Sequence, residues 1–134
     1  MNDLKLRPSS EKDIRHLAEC LRLDPWHSKE KLESWVNVSG GLSTVYDHNG
    51  PVFHLAFTEE GRTLRLHAQF DHRSPKVRTA HGVIVALGWI GLTAKGKFDK
   101  LAFWSESPSM IDFMRELGFV KEGEDYVLSL QGIN

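Results

Sequence analysis

Thr63-Leu64-Arg65-Leu66-His67-Ala68-Gln69-Phe70-Asp71-His72-Arg73-Ser74-Pro75-Lys76-Val77-Arg78-Thr79-Ala80-His81-Gly82 is the stretch on which the fold turns. Leu64, Leu66, Ala68 and Phe70 alternate with Arg65, His67 and Gln69, the period-two pattern of a strand with one core face and one wet or functional face. A polar, basic loop follows. From there to Lys95 the apolar positions Val83, Ile84, Ala86, Leu87, Ile90 and Leu92 continue too long for a strand and read as a helix. Gly88 and Gly91 each weaken that helix by about 1 kcal/mol relative to alanine. Small residues there let another backbone approach, and a homodimer across the Gly88 and Gly91 face is one expectation.

Working outward, residues 42–46 and 52–58 are two further strands. Turns at Asp47-His48-Asn49-Gly50 and Glu59-Glu60-Gly61 make the three an antiparallel meander. Upstream, Leu4 and Leu6 mark a short strand, and Ser10 caps a helix with Asp13 in its first turn and Ile14, Leu17, Ala18 and Leu21 on one face. Pro25-Trp26 interrupts it, and Ser28 opens a shorter helix through Leu32, Trp35 and Val36 that ends at Gly40-Gly41. Downstream, residues 101–104 form a strand and Ser107-Pro108 starts a helix with Met110, Ile111, Met114 and Leu117 inward. Gly118 stops it, Phe119-Val120 is extended, and residues 126–130 close with a strand. The order is βααβββαβαβ, and residues 1–134 are read as one α/β domain, a single mixed sheet flanked by helices.

The chain of 134 residues is long enough to bury roughly two-thirds of its unfolded surface. Its 40% hydrophobic and 26% charged residues exclude a disordered chain. Seventeen basic against eighteen acidic side chains leave a net charge of -1, so no global positive field recruits nucleic acid or an anionic membrane. The single cysteine, Cys20, lies on the first helix's apolar stripe and reads as a buried thiol in a reducing cytoplasm. Met1-Asn2-Asp3-Leu4-Lys5 lacks the apolar core of a signal peptide, and the uncharged run 82–94 falls short of the roughly 20 residues that span a bilayer. A soluble cytoplasmic protein is expected.

Arg73, Lys76 and Arg78 stand where the loop enters the long helix, near Thr79-Ala80-His81-Gly82. Unpaired backbone N–H groups and a positive dipole end there can hold a pyrophosphate; the alternative is a solvated basic loop. The element order, the opening Leu6-Arg7-Pro8-Ser9-Ser10-Glu11-Lys12-Asp13-Ile14 and the ending Phe113-Met114-Arg115-Glu116-Leu117-Gly118-Phe119 resemble the GNAT superfamily of N-acetyltransferases over nearly the whole chain. The chain also resembles the short GNAT-like proteins of tailed bacteriophages, some of which serve as virion or host-interaction proteins. The resemblance implies that acetyl-CoA binds at this junction, with the family's pyrophosphate pattern falling on Val77, Arg78, Thr79, Ala80, His81 and Gly82. Gly82 matches; Ala80 replaces the first glycine and Val77 the polar lead residue. Ser107 stands at the family's second landmark, and Met114 occupies the position of its proton-donating tyrosine.

Acyl transfer to an amine needs a base, a backbone donor near the thioester oxygen and a proton source for the thiolate. His67 and Glu106 are the candidate bases, Tyr126 or Ser105 the candidate acids, and each has an ordinary surface or structural role as its alternative. The amine acceptor is not legible. His67, His72 and His81 show no metal-ligand spacing, and no metal is expected. Trp26, Trp35, Trp89 and Trp104 sit in apolar segments and are expected in the core. No serine-nucleophile motif, P-loop or dinucleotide fingerprint is present. A catalytically degenerate relative that binds a protein partner or another ligand is the competing reading, favoured by Met114 and Ala80.

Overall fold

In the computed structural model, which describes residues 3–26, 32–38 and 41–130, a continuous backbone ladder joins seven strands. They are β1 (Lys5–Pro8), β2 (Leu42–Asp47), β3 (Gly50–Glu60), β4 (Thr63–Phe70), β5 (Lys100–Phe103), β6 (Val120–Glu122) and β7 (Asp125–Ser129), in the order β1-β2-β3-β4-β5-β7-β6. Every pairing is antiparallel except that of β4 with β5. A parallel pair needs a crossover, and α3 (Lys76–Ala94) supplies it. The remaining helices are α1 (Glu11–Leu23), α2 (Leu32–Val36) and α4 (Pro108–Glu116).

The expected order is met with one addition. Val120–Glu122 is a strand of its own, paired with β7 through Val120↔Val127 and Glu122↔Asp125, so the C-terminus is a hairpin rather than one strand. Its three residues are exposed, which leaves no apolar alternation to read. Gly118 (φ +110°) ends α4 and turns the chain into this hairpin, a conformation that a Cβ disfavours. The expected start of the second helix at Ser28 and its Gly40 end lie outside the described residues.

Local chemistry fixes the helix starts. At α1, Ser10 Oγ accepts from the Asp13 N–H (3.2 Å) while the Asp13 carboxylate accepts from the Ser10 N–H (3.0 Å), a reciprocal capping box. The same carboxylate takes two hydrogen bonds from Arg7, at 3.0 and 2.7 Å, and the guanidinium stacks 4.1 Å over the Tyr46 ring. β1, β2 and α1 are therefore fastened at one point. At α4, Ser107 Oγ accepts from the Met110 N–H and Pro108 takes the first helical position.

Helices cover both faces of the sheet. One face carries the larger core, in which Phe53, Leu55 and Leu66 pack with Val83, Ala86 and Ile90 of α3 and Met114 of α4. Gly82 belongs to this contact. A Cβ there would lie 3.0 Å from Phe53 Cε1 and 3.2 Å from Val52 Cγ1, so glycine lets α3 approach β3. The opposite face carries Leu17, Leu21, Trp35 and Ala56. Of the wet or functional second face expected on β4, the wet alternative is corrected: Gln69 is buried, donating to Asp24 at 2.7 Å, and the His67 ring stands edge-on to Trp35. α3 is long and apolar enough to cross a bilayer, but it lies along the sheet on Gly82, Val83, Ala86, Ile90 and Ala94. Gly88 is exposed and Gly91 buried, so the two glycines do not share one outward face.

Burial of Asp13 opposes its ionisation, but the hydrogen bonds from Arg7 and Ser10 outweigh it and hold the carboxyl at about 2. That lies below the ordinary value of about 4. The ionised form therefore favours the folded state above about pH 4, and this contribution is lost as pH falls from about 4 to about 2. Asp13→Asn should lower stability by about 2 kcal/mol at pH 7, with the deficit shrinking toward pH 2, measured as urea midpoints across that range.

Candidate acyl-CoA cleft

β4 and β5 pair through Thr63↔Lys100, Leu64↔Leu101 and Arg65↔Ala102, and no further. Beyond Arg65 the two strands separate, and among the described residues no strand pairs with the β5 side of Leu66–Phe70. Into this gap opens a cavity of about 330 Å³, floored by Leu66, Ala68 and Phe70 of β4 and walled by α3 and α4. Such a volume is that of a small-molecule site, largely apolar with a few polar groups at the rim. The strand ladder on this edge of β4 stops at Arg65, which leaves room for a polar chain laid along β4.

The rim is polar at two helix starts. α3 begins at Lys76, at the end of the basic loop, with Pro75 as N-cap, no side-chain cap and no acid in its first turn. The backbone N–H groups of Lys76, Val77 and Arg78 precede the first intrahelical bond, which Thr79 makes to Pro75. Three donors ahead of the first intrahelical bond at a positive dipole end are the kind of arrangement that can hold an anion. Across the cleft, Ser105, Ser107 and Ser109 line the wall at the start of α4.

Of the expected ligand-binding residues, Lys76, Ala80 and Ser107 line this cavity, whereas Arg73, Val77, Arg78 and Gly82 do not. Ala80 costs nothing as a glycine replacement, because among the described residues no non-glycine residue, Ala80 included, takes positive φ. Val77 is 82% exposed and offers only its N–H. Arg73 is spent on Asp71, with Nε to Oδ1 at 2.9 Å and Nη2 to Oδ2 at 3.1 Å. Arg78 turns away from the cleft to donate to Asp47 at 2.8 and 2.7 Å and to the Gly50 carbonyl at 3.1 Å. It ties α3 to the β2–β3 turn. Gly82 serves the helix–sheet contact described above.

The expected acid–base residues fare similarly. Glu106 is exposed and outside the cavity, His67 lies on the other face of the sheet with Thr58 Oγ1 3.2 Å from its Nε2, and Tyr126 is buried with its ring stacked on Phe103. Met114, at the resemblance's tyrosine position, does line the cavity. Sequence reasoning missed Asp24 and His72, which line it together. Asp24 is buried and lies 3.2 Å from His72 Nε2, the arrangement in which a carboxylate orients an imidazole for proton transfer. Forty-eight positions separate them in sequence, and no motif links them. Trp26 and Trp104, expected in the core, are 42% and 49% exposed and also line the cavity, whereas Trp35 is buried.

No protein-family model matches the sequence, and no curated protein matches it. Solved structures do resemble it. A chimera of the spermidine N-acetyltransferase of Vibrio cholerae superposes with a TM-score of 0.74 at 13% identity, covering 96% of each chain. The ribosomal-protein-S5-alanine acetyltransferase of Vibrio fischeri gives 0.70 at 16% identity, covering 100% of this chain and 97% of its own. The N-acetylglutamate synthase of Neisseria gonorrhoeae, complexed with coenzyme A and L-arginine, gives 0.69 at 16% identity over 98% of this chain and 34% of that one. The chain thus has the GNAT N-acyltransferase fold, in a divergent form.

Arg78 and Asp47 side chains are only 21% and 10% exposed, so breaking this pair leaves a largely desolvated carboxylate without its partner. Arg78→Ala should cost about 2 kcal/mol of stability. The Asp47→Ala, Arg78→Ala double variant should be no less stable than Arg78→Ala alone, which a urea-denaturation mutant cycle would show.

Proposed function

We propose that the chain is an N-acyltransferase that takes an acyl group from acyl-CoA, acetyl-CoA in the first instance, and passes it to an amine. The observation that carries this reading is the cavity where β4 and β5 part, set beside the uncapped start of α3. The free N–H groups of Lys76, Val77 and Arg78, with the Lys76 ammonium, suit the pyrophosphate. The edge of β4 beyond its pairing with β5 suits an amide-bearing arm, and its backbone N–H groups can polarise a carbonyl oxygen. Ser107 and its neighbouring serines offer hydrogen bonds from the opposite wall. Acyl-CoA brings an activated acyl group as a thioester.

The chain's own contribution to the chemistry is proton management. His72, oriented through Nε2 by Asp24, takes the proton of the attacking amine. Met114 cannot return a proton to the thiolate, so that task falls to Ser105, Ser109 or water. A cytoplasmic location fits the single buried thiol.

Met114 in the cavity wall, with Tyr126 packed away on Phe103, favours a second reading: a catalytically silent GNAT fold, of the phage-like or regulatory kind, in which the cleft binds without turnover or the surface engages a protein partner.

Calorimetric titration with acetyl-CoA tests the first reading. Saturable binding is expected, weakened at least tenfold by Lys76→Glu, an exposed position whose change spares the fold. His72→Gln should keep the binding and lower turnover of an accepted amine by about 10²-fold or more. Binding without turnover across an amine panel would establish the second reading, and no binding by folded protein at millimolar acetyl-CoA would overturn the first.

A further inference from the structure

On the α1 side of the sheet, away from the α3 and α4 walls of the cleft, two imidazoles and the chain's single thiol converge. His16 and Cys20 stand one turn apart on α1, and His54 rises from β3 beneath them. His16 Nδ1 lies 2.8 Å from His54 Nε2 and 3.6 Å from Cys20 Sγ, and one ligand atom from each of the three residues falls within 4.8 Å of the others. Cys20 and His54 are fully buried, while His16 keeps 22% of its side chain exposed and so opens the cluster to solvent.

The outer nitrogens are equally organised. His16 Nε2 is 2.9 Å from the Asp71 carboxylate, which must accept, so Nε2 carries the hydrogen and Nδ1 presents its lone pair toward the cluster. His54 Nδ1 is 3.0 Å from Thr44 Oγ1, which in turn lies 2.8 Å from Ser9 Oγ. In the metal-free arrangement His54 Nε2–H donates across the 2.8 Å contact to His16 Nδ1; moving that hydrogen to His54 Nδ1, with the Thr44 hydroxyl turned to Ser9, frees the Nε2 lone pair for a metal without net loss of a proton from the ring. A carboxylate behind one histidine and a hydroxyl behind the other are the outer supports that metal-ligating imidazoles take.

From these placements we propose that His16 Nδ1, Cys20 Sγ and His54 Nε2 form a binding site for a zinc-class divalent cation. Metal–nitrogen bonds of about 2.0–2.1 Å and a metal–sulfur bond of about 2.3 Å set tetrahedral ligand atoms about 3.4 Å (N to N) and about 3.6 Å (N to S) apart. The thiol is already at that separation from His16, and the two rings need to part by about half an ångström. Two imidazoles and one thiolate select zinc, or cobalt as its probe, over the oxygen-seeking calcium and magnesium. The thiol proton leaves to solvent on binding, and the cation stabilises the thiolate that burial alone disfavours. Three protein ligands leave a fourth position open. A cation there would clamp α1 to β3 and, through Asp71, to the end of β4. This site does not depend on the acyl-CoA reading.

Cobalt(II) titration of the folded full-length chain, followed by absorption, tests the site. Cys20 is the single cysteine, so a thiolate-to-cobalt charge-transfer band can come from no other residue. One equivalent should produce that band with intense tetrahedral visible absorption, and zinc should bleach both. Cys20→Ala, a small-for-small change, should abolish the band and weaken binding at least tenfold. Asp71→Asn should weaken it about 10- to 100-fold. Circular dichroism establishes that each variant is folded. Absence of the charge-transfer band from folded wild-type protein at millimolar cobalt would overturn the proposal. So would cobalt affinity unchanged in Cys20→Ala, which would place the ion on surface histidines.

Discussion

Three residue pairs hold β4 to β5, and the limit of that pairing governs the rest of the molecule. A parallel neighbour that stays in register would close the sheet and leave no cavity. Because β5 departs after Ala102, the sheet is split at its centre, and α3, which connects the two strands, lies over the split with its first turn at the open end. The strand edge, the free N–H groups of α3 and the serines of α4 therefore meet without any one of them being unusual. Gly82 and the Arg78–Asp47 pair set how closely and at what height α3 sits on β3. These contacts shape the cleft without lining it.

Much of this architecture was legible because short-range rules dictate it. The alternation of Leu64, Leu66, Ala68 and Phe70, the Ser10–Asp13 capping pair and Ser107-Pro108 each act within a few residues, and the strands and helices stand where they indicate. The strand β6 was legible only as an extended Phe119-Val120, because all its side chains are exposed and its partner is supplied only by the fold.

The site was less legible, for a physical reason. A cation in a loop sequence does not reveal whether it has a carboxylate within reach, and Arg73 and Arg78 both have one, Asp71 and Asp47. Gly82 matched a ligand-binding pattern by identity, yet what requires glycine there is the Phe53 ring across the helix–sheet contact. Asp24 with His72, and His16 with His54, are joined across long stretches of sequence. α1, which carries His16 and leads into Asp24, β3, which carries His54, and the turn after β4, which holds Asp71 and His72, bring these partners together.

The central claim is that a coenzyme A chain lies along β4 with its phosphates at the start of α3. Amide chemical shifts of ¹⁵N-labelled protein titrated with coenzyme A report this most directly. Saturable shifts are expected at Lys76, Val77 and Arg78, along Leu66 to Phe70, and at Ser107. Shifts confined to other surfaces, or none at saturating coenzyme A, would contradict that claim.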